Sequence, residues 1–283
     1  MTEKLHLLRG RSLDLSGLPL VMAIINLNED SFYEKSRARG ERALSAALKA
    51  VEDGASIIDF GGESTRPGAQ YLGEAEELER VIPTIAALRD RSDIAISIDT
   101  RKAAVARAAL DAGADMVNDV SALTDDPFMA PLLAERGVPV VLMHKKGSSA
   151  TMQIDPSYED VVAEVATYLV QAALRAQQVG IVQEQIIIDP GIGFGKRLED
   201  NLDLLSRLAE ISAEGYPVLV GLSRKSFLGA LTGRATEDRL AASLAASLAA
   251  VEGGARILRV HDVAETMDIL RVRAAILTHK RLG

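Results

Sequence analysis

Cysteine is absent from the chain, which removes disulfide bridges, thiolate nucleophiles and Cys-ligated metals at once. No run rich in Pro, Gly or Ser divides the sequence. Its 283 residues are therefore read as one domain, residues 1–283, of a length that fits a single α/β barrel. No apolar stretch is long and unbroken enough to span a bilayer. The segment from Met1 to Gly10 mixes acidic and basic residues and has no apolar export signal. These absences lead to the expectation of a soluble, cytoplasmic protein with no membrane partner. Positive charge is also in short supply. A formal net charge of −8 argues against a general nucleic-acid surface, which needs a dense basic patch.

What the sequence does hold is a repeated pattern. Eight short β-branched runs predict strands at Val21–Leu27, Ser56–Phe60, Ile94–Asp99, Met116–Asp119, Val138–Met143, Ile186–Asp189, Val218–Gly221 and Ile257–Val260. Each stops at polar residues: Asn26, Asp59, Asp99, Asn118, His144, Asp189, the Ser223-Arg224-Lys225 cluster, and Arg259 with His261. A strand buried on both faces reads as a continuous apolar run, so a polar side chain at its C-terminal end is costly unless that end opens onto a site. In parallel α/β folds that edge binds ligands. Strand, loop and helix repeat eight times, which predicts a closed (β/α)8 TIM barrel with every strand end on one face.

Helical periodicity lies between the runs. Ala43, Leu44, Ala47, Leu48 and Val51 form one stripe, and Leu78, Val81, Ile82, Ile85 and Leu88 form another. Pro83 falls inside the second and is expected to kink or interrupt it. Gly54, Gly113, Gly137, Gly180 and Gly254 sit where helices should end. The repetitive stretch from Leu240 to Val251 is read as a tightly packed barrel helix with a small-residue face, with a dimer contact as the alternative.

Arg66, Lys225, Arg259 and His261 all follow predicted strands in an otherwise acidic protein, which points to a small anionic substrate. The loop Gly61-Gly-Glu-Ser-Thr-Arg-Pro-Gly68 offers backbone N–H groups, hydroxyls and a guanidinium, an anion clamp. Arg259 and His261, two apart on a strand, face the same way and suit one phosphate. Asp99, Asn118 and Asp189 supply acceptors for a ring carrying an amino group beside a ring N–H. In Asp189-Pro-Gly-Ile-Gly-Phe-Gly-Lys196 the glycines let a ligand approach the backbone and Phe194 can cover a planar ring, while Asp189 equally suits a turn cap. Asp262 is read as the N-cap of the last helix. His144 stands equally well as a ligand or as a hydrogen-bonded support, and His6 and His279 are read as surface residues. The strand ends thus suggest two subsites, one for a nitrogen heterocycle and one for phosphate.

The order of motifs resembles the dihydropteroate synthases. The likeness runs from about Val21 to about Val272. It rests on Asp-Ser-Phe at 30–32, the Gly61–Gly68 loop, Ile-Asp-Thr at 98–100 and Val-Asn-Asp-Val at 117–120. It continues through Leu-Met-His at 142–144, the Asp189–Lys196 loop, Ser-Arg-Lys-Ser at 223–226 and Arg-Val-His-Asp at 259–262. The resemblance implies condensation of (7,8-dihydropterin-6-yl)methyl diphosphate with 4-aminobenzoate to 7,8-dihydropteroate and diphosphate, in folate biosynthesis, by an SN1-like route. By motif match, Asp99, Asn118, Asp189 and Lys225 would hold the pterin, with Phe194 and Met143 lining its pocket. Thr65, Arg66, Arg259 and His261 would bind diphosphate, and Asn26 would ligate Mg2+ together with it. Ser223 and Arg224 would flank the aminobenzoate, with Phe32 and Pro67 in closing loops. Asp99, Lys225, Arg259 and His261 are the expected catalytic set. A homodimer, and sulfonamides as inhibitors, are further expectations of the resemblance.

Two stretches depart from the family pattern. The first loop reads Asn26-Leu-Asn-Glu-Asp-Ser-Phe32 in place of Asn-Val-Thr-Pro-Asp-Ser-Phe, and is similar to that of sulfonamide-resistant members. Lys145-Lys146 replaces the usual Met-Gln. Rival readings are a pterin-binding domain of a corrinoid-dependent methyltransferase, a non-catalytic pterin-binding paralogue, and a Schiff-base aldolase using Lys225. The methyltransferases release no diphosphate, so the set Thr65, Arg66, Lys225, Arg259 and His261 favours the synthase.

Overall fold

The computed structural model of the protein describes residues 3–27, 36–64, 71–147 and 156–279, with side chains described from residue 40 in the second stretch. Two short strands, β1 (Lys4–His6) and β2 (Ser12–Asp14), pair antiparallel as a hairpin. The eight that follow are all parallel: β3 (Leu20–Asn26), β4 (Ile57–Gly61), β5 (Ala95–Asp99), β6 (Met116–Asp119), β7 (Val140–Met143), β8 (Ile186–Asp189), β9 (Leu219–Gly221) and β10 (Ile257–Val260). Their order in the sheet is β8-β7-β6-β5-β4-β3-β10-β9, and a parallel bridge between Ile188 and Val218 joins its two ends. The sheet is therefore closed, and the fold is the TIM barrel expected.

The helices are α1 (Ser36–Glu52), α2 (Glu74–Arg89), α3 (Ala103–Ala112), α4 (Met129–Arg136), α5 (Val161–Gln178), α6 (Leu198–Ser206), α7 (Leu208–Ser212), α8 (Ser226–Thr232), α9 (Leu240–Glu252) and α10 (Val263–His279). The five glycines expected at helix ends all take positive φ, between 60° and 124°. Of the two outcomes expected of Pro83, interruption does not occur: α2 runs on through it. Its ring and Glu79, whose carbonyl loses its N–H partner, both lie on the exposed face, where water can take over the missing bond.

Strand parity produces two apolar cores. Outward-facing residues such as Ile58, Phe60, Ile96, Ile98 and Val117 pack against the helices. Inward-facing Met22, Ile57, Ala95, Met116, Val141, Ile187, Leu219 and Ile257 fill the lower barrel with Leu5, Leu7 and Leu15 of the hairpin. The hairpin thus closes the N-terminal end. Arg9, Arg11 and Arg89 fasten it by converging on the fully buried carboxylate of Asp115, which also accepts from the Ile96 N–H at 3.0 Å.

The Leu240–Val251 stretch forms α9, and it turns its small residues inward. Ser243, Ser247 and Ala250 are buried, while Leu240, Leu244 and Leu248 are only half-buried.

Candidate active site

Above the apolar floor the inward faces of the same strands change to polar atoms. Asn26, Gly61, Asp99 and Asn118 stand in register across β3 to β6. Met143 pairs with Asp189 across β7 and β8, and Gly221 with Arg259 across β9 and β10. These residues, except Gly61, line one cavity of about 840 Å3, together with Phe194, Ser223, Arg224, Lys225 and His261. The expected site residues Phe32, Thr65, Arg66 and Pro67 lie outside the described residues, as does the Asn28-Glu29 departure.

Arg259 reaches into the barrel between two carboxylates. Its Nε donates to Asp59 Oδ2 at 2.6 Å and its Nη2 to Asp99 Oδ2 at 2.8 Å. Burial opposes its charge, but Asp59 and Asp99 more than offset this and hold its pKa above the ordinary value. The reverse holds for Asp99: burial outweighs the attraction of Arg259, Asp59 adds repulsion, and its pKa rises to about 7. Asp189 is likewise raised by burial, partly countered by the Gly191 N–H, which donates to Asp189 Oδ1 at 2.7 Å. Lys225 is pushed down to about 8 by burial, against the pull of Asp189. Carboxylates and a lysine with converging pKa values in one cleft mark a functional site.

The loop after β8 carries the glycines singled out in the sequence; Gly193 lines the cavity beside the Lys225 side chain, and what lies against the other two is the chain's own backbone. A Cβ at Gly191 would collide with the carbonyl oxygen of His144, and one at Gly195 with that of Lys146. Lys196 is buried beneath this loop and donates to the carbonyls of Gly191 at 2.9 Å and Phe194 at 3.1 Å. Its Nζ also lies 2.8 Å from His144 Nδ1. Burial brings Lys196 down to about 7, and burial with the nearby Lys196 brings His144 to about 3, so the imidazole is neutral. His144 is thus a support for the loop, packed edge-on against Tyr168.

The loop after β9 is shaped by Arg224, whose φ of 59° is a left-handed conformation rare outside glycine. Its guanidinium is bidentate on Asp262, at 3.2 and 2.6 Å. The Asp262 carboxylate, expected to cap α10, is engaged by this ion pair. Ser223 Oγ lies 3.0 Å from His261 Nδ1. Lys145 and Lys146 are committed elsewhere: the first to Asp125 at 3.2 Å, the second to the Ser157 carbonyl and the Tyr158 ring.

Among the described residues no group of three or more His, Asp or Glu is placed to hold a metal. Asn26 stands exposed at the end of β3 on the cavity wall and offers one amide oxygen. That suits a magnesium ion arriving with a diphosphate, which brings most of its own oxygen ligands.

Two lining residues carried no usable sequence signal. Glu63 was read inside a donor loop, yet its carboxylate accepts from Arg101 at 2.8 Å and Lys102 at 2.7 Å, and Lys102 reaches the buried Glu77 at 2.5 Å. Arg239 precedes a helix rather than following a strand, and holds the Arg224 carbonyl at 3.1 Å.

Comparison with known proteins covers nearly the whole chain. The family described as "Pterin binding enzyme" matches residues 22–261. The dihydropteroate synthase of Escherichia coli strain K12 is 45% identical over 273 residues, 96% of each chain. The solved structure of the Xanthomonas albilineans dihydropteroate synthase with 4-aminobenzoic acid is 45% identical and superposes with a TM-score of 0.91, covering 98% of this chain and 99% of that one. The Yersinia pestis dihydropteroate synthase in a sulfonamide drug complex is 40% identical, with a TM-score of 0.90 over 95% and 98% of the two chains.

Proposed function

Since the chain belongs to the dihydropteroate synthase family of pterin-binding enzymes, we propose that its cavity joins a dihydropterin methylene to the amine of 4-aminobenzoate with loss of diphosphate. The enzyme is a transferase of folate biosynthesis. The observation that carries the site assignment is the convergence of acceptors Asp99, Asn118 and Asp189 with the cation Lys225 on one cavity that Arg259 and His261 also line. Asp99, Asn118 and Asp189 would accept from the amino and ring N–H groups of the pterin, with Lys225 on a ring acceptor and Met143 and Phe194 against its faces. Arg259 and His261, with Thr65 and Arg66, would receive the diphosphate. Ser223, Arg224, Phe32 and Pro67 would border the aminobenzoate.

An aromatic amine is neutral near pH 7 and needs no strong base, so the demanding event is separation of diphosphate from the pterin methylene. In a dissociative course the C–O bond breaks first. Its electron pair leaves with the diphosphate toward Arg259 and His261, and the cation left on the pterin is stabilised by Asp99 and Asp189. The amine nitrogen then bonds to the methylene and loses a proton. Asn26 would help hold magnesium with the diphosphate, and the ion when bound would neutralise charge on the leaving group. A unit charge pair at about 4 Å is worth roughly 1 kcal/mol in water but about 4 at an effective dielectric of 20, so each contact gains when water is excluded.

A coupled assay tests this reading. One diphosphate is expected per dihydropteroate formed, and diphosphate release without matching dihydropteroate would overturn it. A cytoplasmic location is proposed with this role, and no helix among the described residues is long and apolar enough to cross a membrane. A homodimer is also proposed: α9, which carries half-buried Leu240, Leu244 and Leu248, packs beside α10, which exposes Val272, Ile276 and Leu277. A second copy would cover these apolar side chains. Light scattering should give about twice the 30.2 kDa chain mass.

A further inference from the structure

Asp59 ends none of the cavity's walls, yet it holds two of the residues that do. It sits midway along β4, in register with Ile24 on β3 and Ser97 on β5, one inward position below Gly61, and is fully buried. Its Oδ2 accepts from Arg259 Nε at 2.6 Å and from Asn118 Nδ2 at 3.2 Å. Its Oδ1 has no hydrogen-bond partner among the described residues. A buried carboxylate with an unmatched oxygen is a poor choice for stability alone, since an apolar residue of similar size is commonly neutral or better. Its retention at the barrel centre asks for another role.

A carboxylate paired with a guanidinium only accepts hydrogen bonds. The group that Asn118 turns toward Asp59 must therefore be its NH2, and its carbonyl oxygen is left for the cavity. We propose that Asp59 is a specificity-determining positioning residue, which sets the hydrogen-bond polarity of the pterin subsite by locking the Asn118 amide with its oxygen toward the ligand. The cavity floor then presents the oxygens of Asp99, Asn118 and Asp189 together. Such a floor selects a heterocycle rich in N–H donors and rejects one that offers carbonyl oxygens at the same edge. This inference rests on the reading of the cavity as a pterin site.

The test compares two probes by calorimetric titration: 6-hydroxymethylpterin, which carries a 2-amino group, and its 2,4-dioxo counterpart, in which that group is a carbonyl. The protein is expected to prefer the amino probe. In Asp59→Asn residue 59 can donate as well as accept, so Asn118 is free to flip, and the preference should fall at least about tenfold. In the double variant Asp59→Asn with Asn118→Asp the amide donates upward to a carboxylate, the acceptor facing the ligand returns, and much of the preference should return with it. Full preference in folded Asp59→Asn would overturn the proposal, as would a double variant that folds and fails to recover. If neither variant folds, the unaltered protein decides. The Asn118 side-chain NH2 should exchange slowly with solvent and stay bonded when the amino probe binds, and rapid exchange would overturn the proposal. Failure of the unaltered protein to bind either probe would instead count against the pterin reading.

Discussion

The ammonium of Lys225 stands 4.0 Å from the centroid of the Phe194 ring. The contact ties the loop after β9 to the loop after β8, and it roofs a half-buried cation with an aromatic face. Cation–π pairs are worth about 0.5 to 2 kcal/mol, most when shielded from water. Phe194→Ala should therefore weaken binding of a pterin probe about tenfold while changing the melting temperature little, because the ring is only half-buried. Titration calorimetry with a thermal melt checks both, and unchanged affinity would assign the ring to loop packing alone.

The pH profile follows from two groups on the cavity wall. Asp99, raised to about 7, must lose its proton to accept from the pterin, and Lys225, lowered to about 8, must keep its own to donate. The kcat/KM should rise through about pH 7, fall above about pH 8, and peak between. In Lys225→Arg the falling limb should move beyond the measurable range, because guanidinium stays charged. A flat profile from pH 6 to 9 would refute the assignment.

Lys196 links stability to pH with a defined sign. The folded protein releases its proton at about pH 7, whereas an unfolded chain keeps it to about 10.5. Between those values the unfolded state binds more protons, so this residue makes stability rise with pH by at most about 1.4 kcal/mol per unit; below about pH 7 its burial penalty is complete. Urea denaturation of the protein and of Lys196→Met at pH 7, 8 and 9 should show the stability of the lysine protein relative to the variant rising with pH as the burial penalty is relieved. A difference independent of pH would mean that Lys196 stays charged.

At the other end of the barrel, Asp115→Ala should cost about 1 to 3 kcal/mol, since the buried Ile96 N–H and the partly exposed Arg9, Arg11 and Arg89 all lose an acceptor. Denaturant midpoints measure the loss. Pterin affinity in the folded fraction should be unaffected, because Asp115 lies below the apolar floor.

For sulfonamides, competition with 4-aminobenzoate is the ordinary expectation. Glu29 and Asp30 in the first loop would disfavour a bulky, often anionic extension by repulsion and shape without harming the smaller substrate. Asn28→Thr with Glu29→Pro should lower the inhibition constant for sulfamethoxazole relative to the KM for 4-aminobenzoate. An unchanged ratio in steady-state inhibition would make the loop difference neutral.

Strands β3 to β10 were legible because each is a β-branched run with a polar stop, and a fully buried strand can hide neither feature. The lower hairpin was not: Leu5, Leu7 and Leu15 belong to alternating stretches only a few residues long, and only the open barrel end makes them a plug. Asp99, Asn118 and Asp189 were visible as polar residues where none should be buried. The support beneath them was harder to read. Asp59 is as polar a strand residue as Asp99, and nothing in the sequence says that it faces Arg259, 200 positions away. The Asp189–Lys196 glycines were read as places where a ligand comes close, yet Gly191 and Gly195 make room for the His144 and Lys146 carbonyls, which only the neighbouring strand and its loop bring there. Pro83 disrupts less than its rule implies because it lies on the wet side of α2.

The inward faces of β5, β8 and β10 carry carbon at the lower end and charge at the upper end, as Ala95 and Asp99, Ile187 and Asp189, and Ile257 and Arg259, with one parity serving both. If one of these strands paired one residue out of step, its charged end would turn into the layer of helices as its apolar foot left the barrel. Misfolding at that strand and loss of the active site are then a single event. The barrel has little room for a well-packed but inactive isomer, and a preparation's active fraction becomes a direct count of its correctly registered chains.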